Sequence, residues 1–212
     1  MTAPSWALLI AAGLFAVGDW VARARRNTPL EYLCKPATLV ALIGTAVALS
    51  PVHDAGARRA WFVAALVCSL AGDVLLMLPT DRFVAGLAAF LVGHLCYVAG
   101  FWAHGPGGVA VAVAAAVVVV VVAPLGRRIL GALGGQPELA VPVALYMVVI
   151  SVMLATALAT GNVLAGIGAV LFVSSDTMIA WNRFVRPFAA ADIGIMVTYH
   201  LGQAGLVLSL LH

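Results

Sequence analysis

Residues 60–78 read AWFVAALVCSLAGDVLLML, nineteen positions with a single charge among them. Wound as an α-helix, such a run rises about 28 Å, which matches the roughly 30 Å hydrocarbon core of a bilayer. In lipid a segment must satisfy its own backbone hydrogen bonds, and a helix does so without a partner. The pattern recurs on both sides of this stretch. Spans are expected near 4–22, 33–50, 60–78, 83–103, 108–126, 139–159, 161–181 and 190–211. Composition agrees, with 64% hydrophobic residues, 9% charged residues and a mean hydropathy of +1.13, whereas soluble domains carry about a quarter charged residues. The expected fold is all-α: one integral membrane domain over residues 1–212, a compact bundle of about eight transmembrane helices. Short connections favour antiparallel sequential neighbours.

The first apolar run lacks a basic leader, and Arg23, Arg25 and Arg26 follow it, so it reads as a retained helix and not as a cleaved signal. Connections after helices one, three, five and seven hold Arg23, Arg25, Arg26, Arg82, Arg127, Arg128, Arg183 and Arg186; the opposite loops hold Arg58 and Arg59. The positive-inside rule makes the first set cytoplasmic and puts both termini outside, in a multi-pass protein of the cell membrane. The net charge of +3 is therefore a topology signal, and no nucleic-acid partner is expected. Cys34, Cys68 and Cys96 have no metal-type spacing and read as packing residues. The valine-rich run 109–122 reads as a lipid-facing helix, while Tyr32, Trp61, Trp102 and Trp181 read as interfacial anchors.

A charge inside a span costs about 2.5–3.5 kcal/mol on insertion scales, so each one is a candidate functional residue. Asp19, Lys35, Asp73 and Asp176 all lie toward the arginine-rich ends of their helices. Asp19 has a structural reading as the partner of Arg23 at i+4, and Lys35 has one as a snorkelling cation. Asp73 and Asp176 lie too deep for a short carboxylate to reach water. His94 and His200 sit nearer mid-membrane, with Tyr97, Tyr199 and Gln203 beside them; helix-to-helix hydrogen bonding is their structural alternative. Turned inward, these faces would form a carboxylate-rich cavity deepening to two histidines. A short internal similarity, Ser69-x-x-Gly72-Asp73 with Arg82-Phe83 and His94 against Ser174-Ser175-Asp176 with Arg183-Phe184 and His200, suggests that the two aspartates face each other.

At these residues the chain resembles the YhhN-type lysoplasmalogenase family of small eight-helix membrane proteins. The resemblance rests on Lys35-Pro36, on Ser69-x-x-Gly72-Asp73-x-x-Leu76, and on the Phe83, Gly86, Phe90, His94, Tyr97 series. Its last part is Ser175-Asp176 with Ala180, Asn182-Arg183-Phe184, Tyr199 and Gln203. It spans roughly residues 30–210 and implies hydrolysis of the vinyl ether bond of lysoplasmalogens, releasing a fatty aldehyde and a glycerophospho-choline or glycerophospho-ethanolamine. The expected partners are thus a lysophospholipid substrate and membrane lipid; the sequence carries no signal of oligomeric state.

Vinyl ethers hydrolyse once an acid protonates the β carbon, after which water captures the oxocarbenium ion. Two carboxylates in one poorly solvated pocket suit this chemistry, one protonated as acid and one ionised as base, with no cofactor or metal. Asp73 and Asp176 are the expected catalytic pair. Lys35, with Arg183 and Arg82 behind it, is a candidate for the substrate phosphate; His94, Tyr97 and Tyr199 are candidates for orienting the aspartates or a water, with His200 and Gln203 as supporting residues. Ser69, Asn182 and Asp19 complete the supporting set. Two rival readings use the same residues: a metal-dependent intramembrane lipid hydrolase, and a lipid or ion transporter with buried acids as a proton relay.

Overall fold

The computed structural model describes residues 1–49, 56–103 and 105–211. They form eight helices: α1 (Ala3–Ala24), α2 (Thr28–Ala48), α3 (Gly56–Met77), α4 (Phe83–Trp102), α5 (Gly108–Ala132), α6 (Pro137–Ala159), α7 (Val163–Ala180) and α8 (Ala191–Leu208). A π-helical turn, Trp181–Val185, prolongs α7, and a 3₁₀ turn, Ser209–Leu211, ends α8. All eight helices are long and apolar enough to cross a membrane; the chain is an all-α, multi-pass membrane protein.

Local chemistry sets the helix starts. Thr2 caps α1 by accepting from the Ser5 N–H at 3.2 Å, Asn27 caps α2 through Leu30 N at 3.2 Å, and Asn162 caps α7 through Ala165 N at 3.0 Å. Pro4, Pro29 and Pro137 occupy first turns, where a missing N–H costs nothing. The α6–α7 connection is tight because Gly161 takes φ +69°, a conformation that side chains disfavour. Buried hydroxyls in mid-helix return to their own backbone, as Thr45 does to Ala41 O at 2.8 Å.

Three antiparallel hairpins, α1/α2, α3/α4 and α7/α8, make the closest pairings; α6 packs on α4, α5 and α7, and α8 closes the bundle against α1 and α2. The α3/α4 seam is aromatic, with Phe62 edge-to-face against Tyr97 and Phe101 at 5.0 and 5.2 Å. Helix α5 stays on the outside: among its residues only Val118, Gly126 and Ile129 are buried, while Val109 is 80% exposed. This matches the lipid-facing role expected of the valine run.

The helices outrun the expected spans where the backbone stays helical beyond the apolar run. Helix α5 extends from 126 to Ala132 because Arg127 and Arg128 end the apolar run but not the helix. Helix α2 starts at Thr28, ahead of 33, and the expected last residue of that span, Ser50, lies outside the described residues.

The α7/α8 seam is a backbone-to-backbone contact. A Cβ on Gly168 would stand 2.7 Å from Leu206 N and 2.9 Å from Gly202 O, and one on Gly202 would stand 2.9 Å from Phe172 N. Neither neighbour can yield as a flexible side chain would. Gly168→Ala and Gly202→Ala should each destabilise the bundle by about 1–3 kcal/mol, read as a lower melting temperature in detergent. Gly13→Ala, whose added methyl meets nothing within 4 Å, should leave the melt unchanged; equal melts for all three variants would refute the close seam.

Candidate functional site

Two polar networks lie inside the arginine-rich half of the bundle. The first is centred on Asp73 of α3. Lys35 of α2 places Nζ 3.1 Å from Asp73 Oδ1, and Tyr199 of α8 donates to Asp73 Oδ2 at 2.7 Å. Gln203, one turn beyond Tyr199, reaches its hydroxyl at 3.5 Å and accepts from Tyr97 of α4 at 2.5 Å. Three helices thus meet on one carboxylate and a fourth, α4, joins the network through Tyr97; all five side chains are buried. Both Asp73 oxygens are engaged, and its side chain is 2% exposed.

The second network is centred on Asp176 of α7. Tyr146 of α6 donates to Asp176 Oδ2, and His94 Nε2 of α4 lies 2.9 Å from the Tyr146 hydroxyl and 3.5 Å from the same carboxylate oxygen. A tyrosine has one proton to give. Since that proton goes to Asp176, the hydroxyl accepts from His94, so Nε2 carries hydrogen. His94 Nδ1 is buried and has no hydrogen-bond partner among the described residues. The Asp176 side chain is 15% exposed, in contrast to Asp73.

That exposure faces a cavity of about 70 Å³ bounded by α3 to α7, with Phe90, Tyr146 and Asp176 at its deep end and Phe83 and Phe184 toward the arginine-rich end. It has room for about two waters at ~30 Å³ each. An apolar groove of about 450 Å³ between α5 and α6 continues from it, since Val122 and Met147 line both. Asp73 does not line the cavity. Phe172 stands between the networks, its ring 4.8 Å from that of His94 and 5.3 Å from that of Tyr199.

The expected residues therefore divide. Lys35, Asp73, Tyr97, Tyr199 and Gln203 come together, and His94 joins Asp176, but one phenyl ring separates the two groups. The two histidines do not share a cavity. His200 turns toward α1, accepting from Trp20 Nε1 at Nδ1 over 3.1 Å and stacking on that indole. Asp19 is buried beside Arg23, its Oδ2 3.5 Å from Arg23 Nε, and Arg23 Nη2 pairs with Glu31 at 2.7 Å, so the i+4 partnership read from the sequence is present. Ser69 is buried in the α3/α4 seam, 3.4 Å from where a Cβ on Gly93 would stand. Asn182 accepts from Phe188 N at 3.1 Å and shapes the turn after α7.

At the arginine-rich end Arg183 Nη2 pairs with Asp81 Oδ2 at 2.8 Å, and its guanidinium lies 4.2 Å from the Phe83 ring centroid. Asp81 also accepts from the Phe83 N–H at 3.1 Å. The Arg183 hydrogen bond, that N–H and the guanidinium charge hold the exposed Asp81 carboxyl below the usual carboxylate range.

Tyr146 is the functional candidate absent from the sequence reading. Its signal was a tyrosine in mid-span, away from the interface where tyrosines anchor, whose hydroxyl had to find a polar partner in the core. Among the described residues, no three His, Cys, Asp or Glu side chains gather as a metal site requires.

Comparison with known proteins finds relatives over most of the chain. The human protein named Lysoplasmalogenase TMEM86B is 38% identical over 147 residues, 69% of this chain and 62% of the human protein, so the chain spans less than two thirds of that relative. The Mycobacterium tuberculosis protein named Lysoplasmalogenase is 34% identical over 195 residues, covering 81% of this chain and 72% of that one. Rat Lysoplasmalogenase TMEM86B is 34% identical over 179 residues, covering 84% and 71%. No solved structure gives a significant match. The YhhN family model matches residues 30–210, and the chain belongs to the YhhN family.

Proposed function

We propose that the chain is a membrane-embedded hydrolase that cleaves the vinyl ether bond of lysoplasmalogen-like lysophospholipids to a fatty aldehyde and a glycerophospho-base. One observation carries the chemistry: a carboxylate on an apolar cavity with one oxygen held by Tyr146 and His94. Relatives at 34–38% identity that bear the name lysoplasmalogenase support the substrate class. The α5/α6 groove suits a hydrocarbon chain running from the cavity toward lipid.

In this reading Tyr146 keeps Asp176 Oδ2 as an acceptor in both protonation states, so the acid's proton resides on Oδ1. Asp176 delivers that proton to the β carbon of the vinyl ether, and the double-bond electrons form the new C–H bond. The α carbon becomes an oxocarbenium ion, and the carboxylate left behind stabilises it. A water adds there and returns a proton to Asp176. The hemiacetal then collapses to aldehyde and alcohol, and the enzyme is restored without a net gain or loss of protons. One carboxyl group acts as acid and then as base, as the acid does in retaining glycosidases. Asp73 is a positioning residue, holding Lys35 and Tyr199 behind the Phe172 ring.

The arginine distribution supports cytoplasmic placement of the end that bears Arg23, Arg82, Arg128 and Arg183, with both termini outside a cell membrane. In a cysteine-free background, Thr2→Cys should react with an impermeant maleimide in intact cells and Arg26→Cys only after permeabilisation. The reverse pattern refutes the orientation.

Asp176→Asn should lower aldehyde release from an alkenyl-lysophospholipid by ~10²–10⁴ at an unchanged melting temperature, because an amide supplies no acid proton. Tyr146→Phe should cost about tenfold, the size of one charge-assisted hydrogen bond. Asp73→Asn leaves the buried Lys35 unpaired and should destabilise the fold by about 3–5 kcal/mol. An Asp73→Asn protein as stable as wild type yet inactive would place Asp73 in the chemistry and restore the two-aspartate mechanism. Full activity of Asp176→Asn would reject the reading as a whole.

A further inference from the structure

The ion pair at the arginine-rich end of the cavity has no part in the chemistry above, and its position is informative. Asp81 lies on the α3–α4 connection and Arg183 on the π-helical turn after α7, so the pair bridges two elements that frame the cavity. Phe83 and Phe184, which line the cavity, are also the rings that Arg183 covers, at 4.2 and 5.7 Å. The guanidinium therefore stands at the arginine-rich end of the apolar cavity, over an aromatic face. This contact leaves N–H groups usable: a guanidinium carries five donors, and Asp81 is bonded through Nη2. Arg183 is 36% exposed and Asp81 68% exposed, so both can be reached by a ligand.

Lys35, the first phosphate candidate from the sequence, is spent on Asp73 at 3.1 Å and is absent from the cavity lining. Arg183 has the required separation from Asp176. The two residues are seven positions apart along the helix, about 10 Å of rise. In an extended lysophospholipid six bonds join the α carbon of the vinyl ether to phosphorus, about 7 Å at ordinary chain geometry. A further hydrogen-bonded contact from phosphate to guanidinium, about 3 Å, makes up the difference.

We infer that Arg183 and Asp81 form the headgroup subsite: Arg183 binds the phosphate of the lysophospholipid, and Asp81 binds the ammonium group of an ethanolamine or choline. The inference rests on the lysophospholipid reading and extends it. The protein's ion pair mirrors the zwitterion of the ligand, with cation facing phosphate and anion facing ammonium. A phosphate monoester, which has no ammonium group, meets the Asp81 charge unpaired and is disfavoured. Selectivity for zwitterionic over purely anionic headgroups thus follows from one exposed carboxylate. The Arg183–Asp81 bond itself is an exposed pair that contributes little to stability, so its replacement by ligand contacts costs the fold little.

Equilibrium binding of non-hydrolysable 1-O-alkyl ligands to the purified full-length chain in detergent separates this subsite from catalysis. Three probes share one alkyl chain: glycerophosphoethanolamine, glycerophosphate and plain glycerol. Wild type should prefer the ethanolamine ligand over the glycerol ligand by about tenfold or more, the scale of a charge-assisted hydrogen bond. Arg183→Gln should remove most of that preference, with Arg183→Lys retaining part of it. Asp81→Asn should leave phosphate recognition in place but shift the ethanolamine-to-phosphate-monoester preference several-fold toward the monoester. Millimolar inorganic phosphate should not displace the ethanolamine lipid, because the subsite needs the tail as well.

The assignment of Arg183 is overturned if Arg183→Gln weakens all three ligands by one factor, and that of Asp81 if Asp81→Asn leaves the headgroup ratio unchanged. Displacement of the lipid by inorganic phosphate would identify a free-anion site instead. Headgroup selectivity in binding without aldehyde release from the alkenyl counterpart would keep the subsite and reject the hydrolase reading.

Discussion

The contact between Lys35 and Asp73 organises the rest of the molecule. Inside hydrocarbon no water compensates a charge, so a buried carboxylate must find its partners in protein. Lys35 and Tyr199 supply them from α2 and α8, and Gln203 and Tyr97 extend the set to α4. This matters because lipid tails are as apolar as the helices themselves, and burial alone gives membrane helices little reason to associate. The three antiparallel hairpins are joined by a polar knot, and within the third hairpin glycines at the α7/α8 seam let two backbones touch.

With Asp73 committed to that knot, the second carboxylate occupies a different setting. Asp176 gives up one oxygen to Tyr146 and His94 and still borders a cavity. The Phe172 ring packs between the two settings, and among the described residues no hydrogen bond runs from one to the other. In the proposed mechanism the acid and base roles fall to Asp176, and the bundle's central ion pair takes no part in the proton transfer.

The spans and the depth of the acids were legible in the sequence because hydrophobic run length and charge cost act locally. Asp19 with Arg23 was legible for the same reason, being four residues apart on one helix. Helix ends were less so, since arginines such as Arg127 mark the end of the lipid and not of the backbone. Partners across helices were the least legible: which face of α6 meets α4, and hence that Tyr146 sits between His94 and Asp176, depends on packing that no single span encodes. The likeness between the Asp73 and Asp176 stretches suggested equivalent roles, but their surroundings come from different helices. A lysine at one and a cavity at the other separate the two residues in chemistry.

Helix α5 walls the cavity with Val122 and Ile129 while most of its outer surface is exposed, and its groove with α6 runs on from the cavity. A site entered sideways through such a wall meets its ligand in two dimensions. The concentration that governs occupancy is then the mole fraction of that lipid in the surrounding leaflet, not its molarity in water. If the ligand is the proposed lysophospholipid, diluting the membrane with inert lipid lowers occupancy even at a constant total amount of ligand, and the protein then responds to the composition of the bilayer in which it is dissolved.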